Sequence, residues 1–253
     1  MDKQLSKSEQ LAQAFDQFFE IVIADTTELR EEVYKLRYNV YCLDMHFENA
    51  QDYPTQMESD QFDAHSIHVL LRHRTSNTYA GTVRLVNNYT TQPIPQLPIE
   101  LHCKDKINSD VFDFNKMDRT RFGEISRLAV APQFRKRTGE SHTPHGVCDA
   151  AINQFTEYEK RIFPHIALGL YLACGSIVLQ QQLDTAVVMM EPRLARHMRL
   201  FGIHCIQAGE VVEYHGLRSA FVIDIKDNWR RVRPEIQGLL DLITGQIQKY
   251  HNF

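Results

Sequence analysis

Charge in the middle of strand-like stretches constrains this chain more than any other feature. Residues 79–86 (YAGTVRLV) carry Arg84, and residues 124–130 (EISRLAV) carry Glu124 and Arg127 among apolar neighbours. Glu58, Asp60 and Asp63 lead into a third such stretch at 66–73. A buried charge is costly unless it is paired. The fold must therefore bring these segments together, either as a structural ion network or around a substrate, and the residues alone leave both readings open.

With 253 residues the chain has the length of one large domain or two small ones, and a single domain over 1–253 is the expectation. A content of 43% hydrophobic and 24% charged residues excludes a disordered or fibrous chain. The net charge, 28 − 32 = −4, lacks the basic footprint of a general nucleic-acid binder. Five scattered cysteines without a C-x-x-C pair fit neither a disulfide scaffold nor a zinc knuckle, and suit a reducing cytoplasm. The start, Met1-Asp2-Lys3-Gln4, opens a polar stretch without the apolar core of a secretion signal. No apolar run reaches the ~20 residues that span a bilayer. The nearest, 166–179, is interrupted by Gly169, Gly175 and Ser176 and reads as a buried helix.

Helical spacing of Leu11, Ala14, Phe15, Phe18 and Phe19 predicts an N-terminal helix within 1–19, then a strand at 20–24. Asp25 with Glu28 suggests a capped start for a second helix, whose apolar face is Leu29, Val33, Leu36 and Val40. Residues 42–62 read as a covering loop, 66–73 and 79–86 as a hairpin, 87–121 mainly as loop with a short element near 99–101, and 124–130 as a strand. An insertion is expected at 137–164. Beyond it the pattern predicts a helix at 166–182, a strand at 185–190, a helix from Pro192 to Gly202, strands at 203–207, 211–214 and 219–225, and a closing helix within 228–253. Hairpins mixed with helices imply an α/β fold: a mixed, mostly antiparallel central sheet with helices on both faces.

Four blocks, taken in order, are specific. Arg37-Tyr38-Asn39-Val40-Tyr41, the segment Glu58 to Asp63 (ESDQFD), Gly81-Thr82-Val83-Arg84-Leu85 and the segment Glu124 to Val130 resemble the signature blocks of acyl-homoserine-lactone (autoinducer) synthases, members of the GNAT superfamily. In the C-terminal half, Ala167-Leu168-Gly169-Leu170-Tyr171, the segment Met190 to Arg196 (MEPRLAR) and the segment Val212 to Arg218 (VEYHGLR) resemble the PEP-CTERM/exosortase system-associated acyltransferases and related N-acyl amino acid synthases. The resemblance implies a GNAT-like fold and transfer of a fatty acyl group from an acyl carrier protein or coenzyme A thioester to the amine of an amino acid or a similar small molecule.

That resemblance also distributes roles. Glu124 is the first candidate for the base that takes the amine proton, with a salt bridge to Arg84 or Arg127 as its structural alternative. Asp60 and Asp63 would hold the acceptor ammonium, Arg84 and Arg127 its carboxylate, and Arg37, Tyr41 and Phe47 would complete the acceptor cleft. Leu128, Ala129 and Val130 would meet the donor's phosphopantetheine. The usual glycine-rich donor loop is broken here, where Arg135-Lys136-Arg137-Thr138-Gly139-Glu140 stands; either the strand backbone at 128–130 makes the phosphopantetheine contacts or the cations Arg135, Lys136 and Arg137 replace the loop, and these cations also suit an acidic acyl carrier protein. Met189 and Met190 are candidate walls of the acyl channel, and His215 with Tyr214 is a candidate donor of a proton to the leaving thiolate. His65 and His68 fall on opposite faces of a strand, so no metal site is expected, and no bound cofactor. Two other readings stand beside this one: lactone synthesis from S-adenosylmethionine, and a non-catalytic module that binds lipid or acyl carrier protein. On the enzymatic reading, Glu124→Gln and Arg84→Ala should each cut turnover and leave the thermal midpoint nearly unchanged.

Overall fold

The computed structural model describes residues 5–87, 94–135 and 155–250. Eight strands form one sheet: β1 (Phe19–Ile23), β2 (Ser66–His73), β3 (Thr78–Val86), β4 (Phe122–Val130), β5 (Thr185–Met190), β6 (Ile206–Gln207), β7 (Val212–Glu213) and β8 (Leu217–Asp224). Their spatial order is β1-β2-β3-β4-β5-β8-β6, with β7 also on β8. Every pair is antiparallel except β4 and β5. A parallel pair needs a long crossover, and the chain between β4 and β5 supplies it through α4 (Glu157–Ile162) and α5 (Ile166–Gln180) once α1 (Lys7–Phe18), α2 (Thr27–Arg37) and α3 (Pro98–Cys103) are counted before them.

Helix α5 is the centre of the main core. From Leu168 to Val178 every residue is buried, against β2, β3 and β4 on one side and the last helix on the other. Two glycines make that depth possible: a Cβ at Gly169 would meet the Phe15 ring at 2.7 Å, and one at Gly175 would overlap the Trp229 ring. The run Glu157–Gln180 is long and apolar enough to cross a membrane, yet 78% of its apolar window is buried inside the protein. It is a core helix. Helices α1, α5 and the last helix cover one face of the sheet, while α2, α3 and the long connections cover the other. The mixed sheet with helices on both faces is the architecture that the alternation of elements implies.

Local departures have local causes. Thr26, not Asp25, caps α2, its Oγ1 accepting from Leu29 N at 3.3 Å, so the helix starts one residue later than the Asp25–Glu28 spacing suggests. After Arg37 the helix widens into a π-helix, Tyr38–Asp44, in which Met45 N reaches back five residues to Val40 O. Glu58, Asp60 and Asp63 do not enter a strand; they lie in the loop and 3₁₀ turn ahead of β2. A helix, α3, occupies the short element expected near 99–101. After α6 (Pro192–Arg199), the expected closing helix splits into α7 (Ile225–Arg231) and α8 (Pro234–Ile247). Pro234 has no N–H to give and holds Arg233 extended, which ends one helix and starts the next. Of the expected insertion, 137–154 lies outside the described residues, and the remainder forms α4 and a 3₁₀ turn at Phe163–His165.

Candidate active site

Strands β4 and β5 pair only at their beginnings, Phe122 with Thr185, Gly123 with Ala186 and Glu124 with Val187. Beyond that point β4 stays with β3 as far as Val130 and Gly81, and β5 stays with β8 as far as Met190 and Ser219. The two strands part, and a cavity of about 200 Å³ opens between Ile125–Leu128 and Val188–Glu191. A bulge shapes its wall: between Thr82–Ala129 and Arg84–Ser126, Arg127 and Leu128 face Val83 alone, and Arg127 takes φ +52°. That left-handed conformation is uncommon for a residue with a Cβ, and bulges of this kind turn side chains out of the alternation.

Around the bulge lies a closed ion network. Arg37 bonds Glu58 through Nε and Asp63 through Nη1, the latter at 2.6 Å. Arg84 reaches Asp60 and Asp63 at 2.6 Å each through Nη1, Asp60 again at 2.9 Å through Nη2, and Ser126 Oγ at 3.0 Å through Nε. Arg127 lies 3.2 Å from Glu58, 3.3 Å from Asp60 and 3.4 Å from Glu48. Arg37 and Glu58 are wholly buried and Arg84 nearly so. Burial opposes the Asp63 charge, but Arg37 and Arg84 outweigh it and hold the carboxyl well below its usual range. Burial likewise opposes the charges of Arg37 and Arg127, and the carboxylates around them, Glu58 foremost, keep both protonated.

Arg84 and Arg127 hold carboxylates of the protein itself, Asp60 and Asp63 among them, so the residues that the resemblance assigns to the acceptor's ammonium and carboxylate pair with each other in this structure. Arg37 sits inside the same network.

Glu124 stands apart. It lines the cavity, is 3% exposed, and accepts one hydrogen bond on Oε2 from Ile99 N at 2.7 Å. Among the described residues no cation comes within ion-pair distance of its carboxyl, so the alternative salt bridge to Arg84 or Arg127 is not formed. Burial pushes its pKa up to about 8, against the pull of the Ile99 N–H and of Arg84 and Arg127. A carboxyl that exchanges its proton near neutrality is suited to general base work.

Tyr41 lines the cavity too, donating its hydroxyl to Leu128 O at 2.7 Å. Phe47 stacks at 5.4 Å on His215, which stacks at 4.7 Å on Tyr214. Of the donor-side residues, Leu128 lines the cavity, Ala129 is buried and Val130 is half-buried. Arg135 is bound to Asp44 and does not line the cavity, and Lys136 and Arg137 lie outside the described residues. Met189 and Met190 both line it. Glu48, Ser126, Tyr171 and Arg218 are additions that the sequence did not place in the site; Ser126 lies inside the Glu124–Val130 block and Tyr171 and Arg218 each close a C-terminal block, whereas Glu48 carried no signal. Cysteine chemistry is disfavoured, because burial pushes the Cys42 thiol up to about 11 and the Cys205 thiol up to about 12.

Residues 36–144, which contain the network, the bulge and Glu124, match the family model of an acetyltransferase (GNAT) domain. Over that segment the chain is GNAT-like. No curated protein matches the sequence. Among solved structures, the fold of this chain resembles TofI in a ternary complex with an inhibitor and MTA (17% identity over 90% of this chain and 99% of that one, TM-score 0.58). It also resembles BjaI, a CoA-dependent acyl-homoserine lactone synthase with SAM and isopentyl-CoA (16% identity, 89% of each chain, TM-score 0.55). A third is FeeM, an N-acyl amino acid synthase from uncultured soil microbes (13% identity, 87% of this chain and 97% of that one, TM-score 0.52). At such identities the likeness is one of fold, and it spans most of the chain.

Proposed function

We propose that the protein is an N-acyltransferase that moves a fatty acyl group from a thioester to the amine of an amino acid or a similar acceptor. The observation that carries this reading is Glu124, a buried and unpaired carboxyl, on the wall of a cavity that opens where two strands separate. Beyond Glu124 and Val187 no ladder joins the facing edges of β4 and β5, so the amide-bearing pantetheine arm of a donor can lie there as an added strand would. The apolar wall of Ile125, Val188, Met190 and Leu194 leads toward the core against α5 and suits the acyl chain.

In the reaction, the acceptor nitrogen attacks the thioester carbonyl carbon. Its N–C bond forms, its proton passes to the Glu124 carboxylate directly or through water, the C–S bond breaks, and the thiolate takes up a proton to leave as the free thiol. Tyr214, with His215 stacked beside it on the β7–β8 hairpin, lines the cavity, and its hydroxyl is the source assigned to that last proton. Arg37, Arg84, Asp60 and Asp63 act as positioning residues that fix the bulge.

The donor is taken to be acyl carrier protein. Arg193, Arg196 and Arg199 are exposed on α6 beside Leu194 of the cavity wall, a cationic face that suits an acidic partner. Kinship with the PEP-CTERM-associated acyltransferases belongs to the same proposal and rests on the three C-terminal blocks. Among the described residues four cysteines are buried and free, which suits the cytoplasm.

The test is incubation of the purified protein with dodecanoyl thioesters of acyl carrier protein and of coenzyme A, a mixture of the common amino acids, and S-adenosylmethionine in a parallel reaction. An N-acyl amino acid identified by mass spectrometry is the expected product, formed faster from the carrier protein. Acyl-homoserine lactone formed only with S-adenosylmethionine would select the rival synthase, and no turnover with any combination would select the binding module.

A further inference from the structure

Three arginines line the cavity: Arg84, Arg127 and Arg218. The first two are committed to the protein's own carboxylates. Arg218 differs, since among the described residues no carboxylate lies within ion-pair distance of it. Its Nε donates to His215 O at 3.2 Å, and its guanidinium carbon lies 5.8 Å from the centre of the Phe47 ring. The side chain is thus held on two sides while its terminal nitrogens keep donor capacity for the cavity. A half-buried cation without a counterion is an expensive thing to leave in place.

The hairpin carrying Arg218 is itself braced. His215 at φ +52° and Gly216 at φ +91° make the turn between β7 and β8, and the parallel stack Phe47–His215–Tyr214 ties that turn to the loop after the π-helix. Arg218 shares its side of β8 with Ala220 and Val222, which pack with Val187, the residue paired to Glu124. It lies one position past the Ser219–Met190 pair, four residues along the strands from Glu124 and two strands across, roughly 16 Å between the backbones at about 3.3 Å per residue and 4.8 Å per strand. An extended arginine and a glutamate reaching toward each other take up much of that span and leave a gap of amino-acid size.

We propose that Arg218 binds the carboxylate of the acceptor, so that the substrate class is α-amino acids rather than simple amines; this rests on the N-acyl transfer reading above. The planar fork of a guanidinium pairs with a carboxylate through two parallel hydrogen bonds, and Phe47 behind it keeps the fork in plane with the cavity. The acceptor then spans from its amine at Glu124 to its carboxylate at Arg218.

The experiment measures thiol release by the purified protein from dodecanoyl-CoA or the dodecanoyl carrier protein, whichever the wild type accepts. Acceptors are leucine and phenylalanine, each against its decarboxylated counterpart, 3-methylbutylamine and 2-phenylethylamine. The wild type should prefer the amino acids. Arg218→Ala should raise the KM for both amino acids by about tenfold or more, leave the rates with the two amines unchanged, and leave the donor KM unchanged. Arg218→Lys, which keeps the charge and disturbs folding least, should recover part of the loss. Equal losses with acids and amines, or a rise confined to the KM of the thioester, overturn the assignment, the second pointing to a phosphate of the donor instead. A wild type that turns over with none of the four acceptors removes the acyl-transfer reading itself and this assignment with it, a result distinct from turnover that ignores Arg218.

Discussion

Glu124 and Arg84 stand close together in the sheet and should respond to substitution in opposite ways. A general base supplies on the order of 10²–10⁴ in rate, so Glu124→Gln should lower kcat by about that factor. Wild-type activity should climb as pH rises through about 8, where the carboxyl loses its proton, and the variant should lack that limb. The stability sign follows from the same shift. Because the folded pKa lies above the ordinary carboxyl value of 4.5, the folded protein holds a proton that the unfolded chain has released. The resulting stabilisation is complete below about pH 4.5 and is lost as pH rises through about 8. Thermal midpoints recorded from pH 5 to pH 9 should therefore fall more steeply for the wild type than for Glu124→Gln. Arg84→Ala is the contrary case. It strips Asp60 and Asp63 of their shared cation inside the protein, and unpairing a buried charge costs roughly 3–5 kcal/mol, to be read from urea denaturation. The structure thereby revises the sequence expectation that both substitutions spare the thermal midpoint. For Arg84 a change in turnover without a change in stability would mean that the network does not hold the fold.

The elements divide by how local their causes are. The β2–β3 hairpin, β5 and α5 were legible because strand alternation, turn residues and unbroken apolar runs sit within a dozen residues of each other. The π-helix at Tyr38–Asp44 was not, since Leu36 and Val40 keep an α-helical spacing while the backbone bond pattern changes. Nor was the bulge at Arg127, which depends on register with β3 rather than on its own neighbours. Pro234 did carry a visible signal for the break between α7 and α8. In the site, the blocks around Arg37, Arg84, Glu124 and Arg127 could be read, but not which groups pair, because Glu48, Glu58 and Ser126 meet them only across distant segments. Packing between elements gives its own prediction. Gly175→Ala puts a methyl group into the Trp229 ring, so α7 must shift from α5; overpacking of this kind costs about 1–3 kcal/mol, measurable as a lower denaturation midpoint with little change in the slope.

At the scale of the molecule, one sheet serves two purposes. Its antiparallel flanks anchor β4 and β5 independently, to β3 and to β8, and this is what allows the two central strands to part without unfolding. The parting makes the cavity, the bulge aims Arg127 into the ion network, and burial beside the network gives one carboxyl a proton affinity near neutrality. The order of the signature blocks pointed from the sequence to the fold class, while the parting of the strands and the bulge emerge only from the register of the sheet. Whether this cavity joins an acyl group to an amine with Glu124 as base is read from mass spectrometry of lipid extracts of cells overproducing the wild type or Glu124→Gln. New N-acyl amino acids should appear in the first and be lost in the second; equal amounts in both, or acyl-homoserine lactones in their place, would rule that chemistry out.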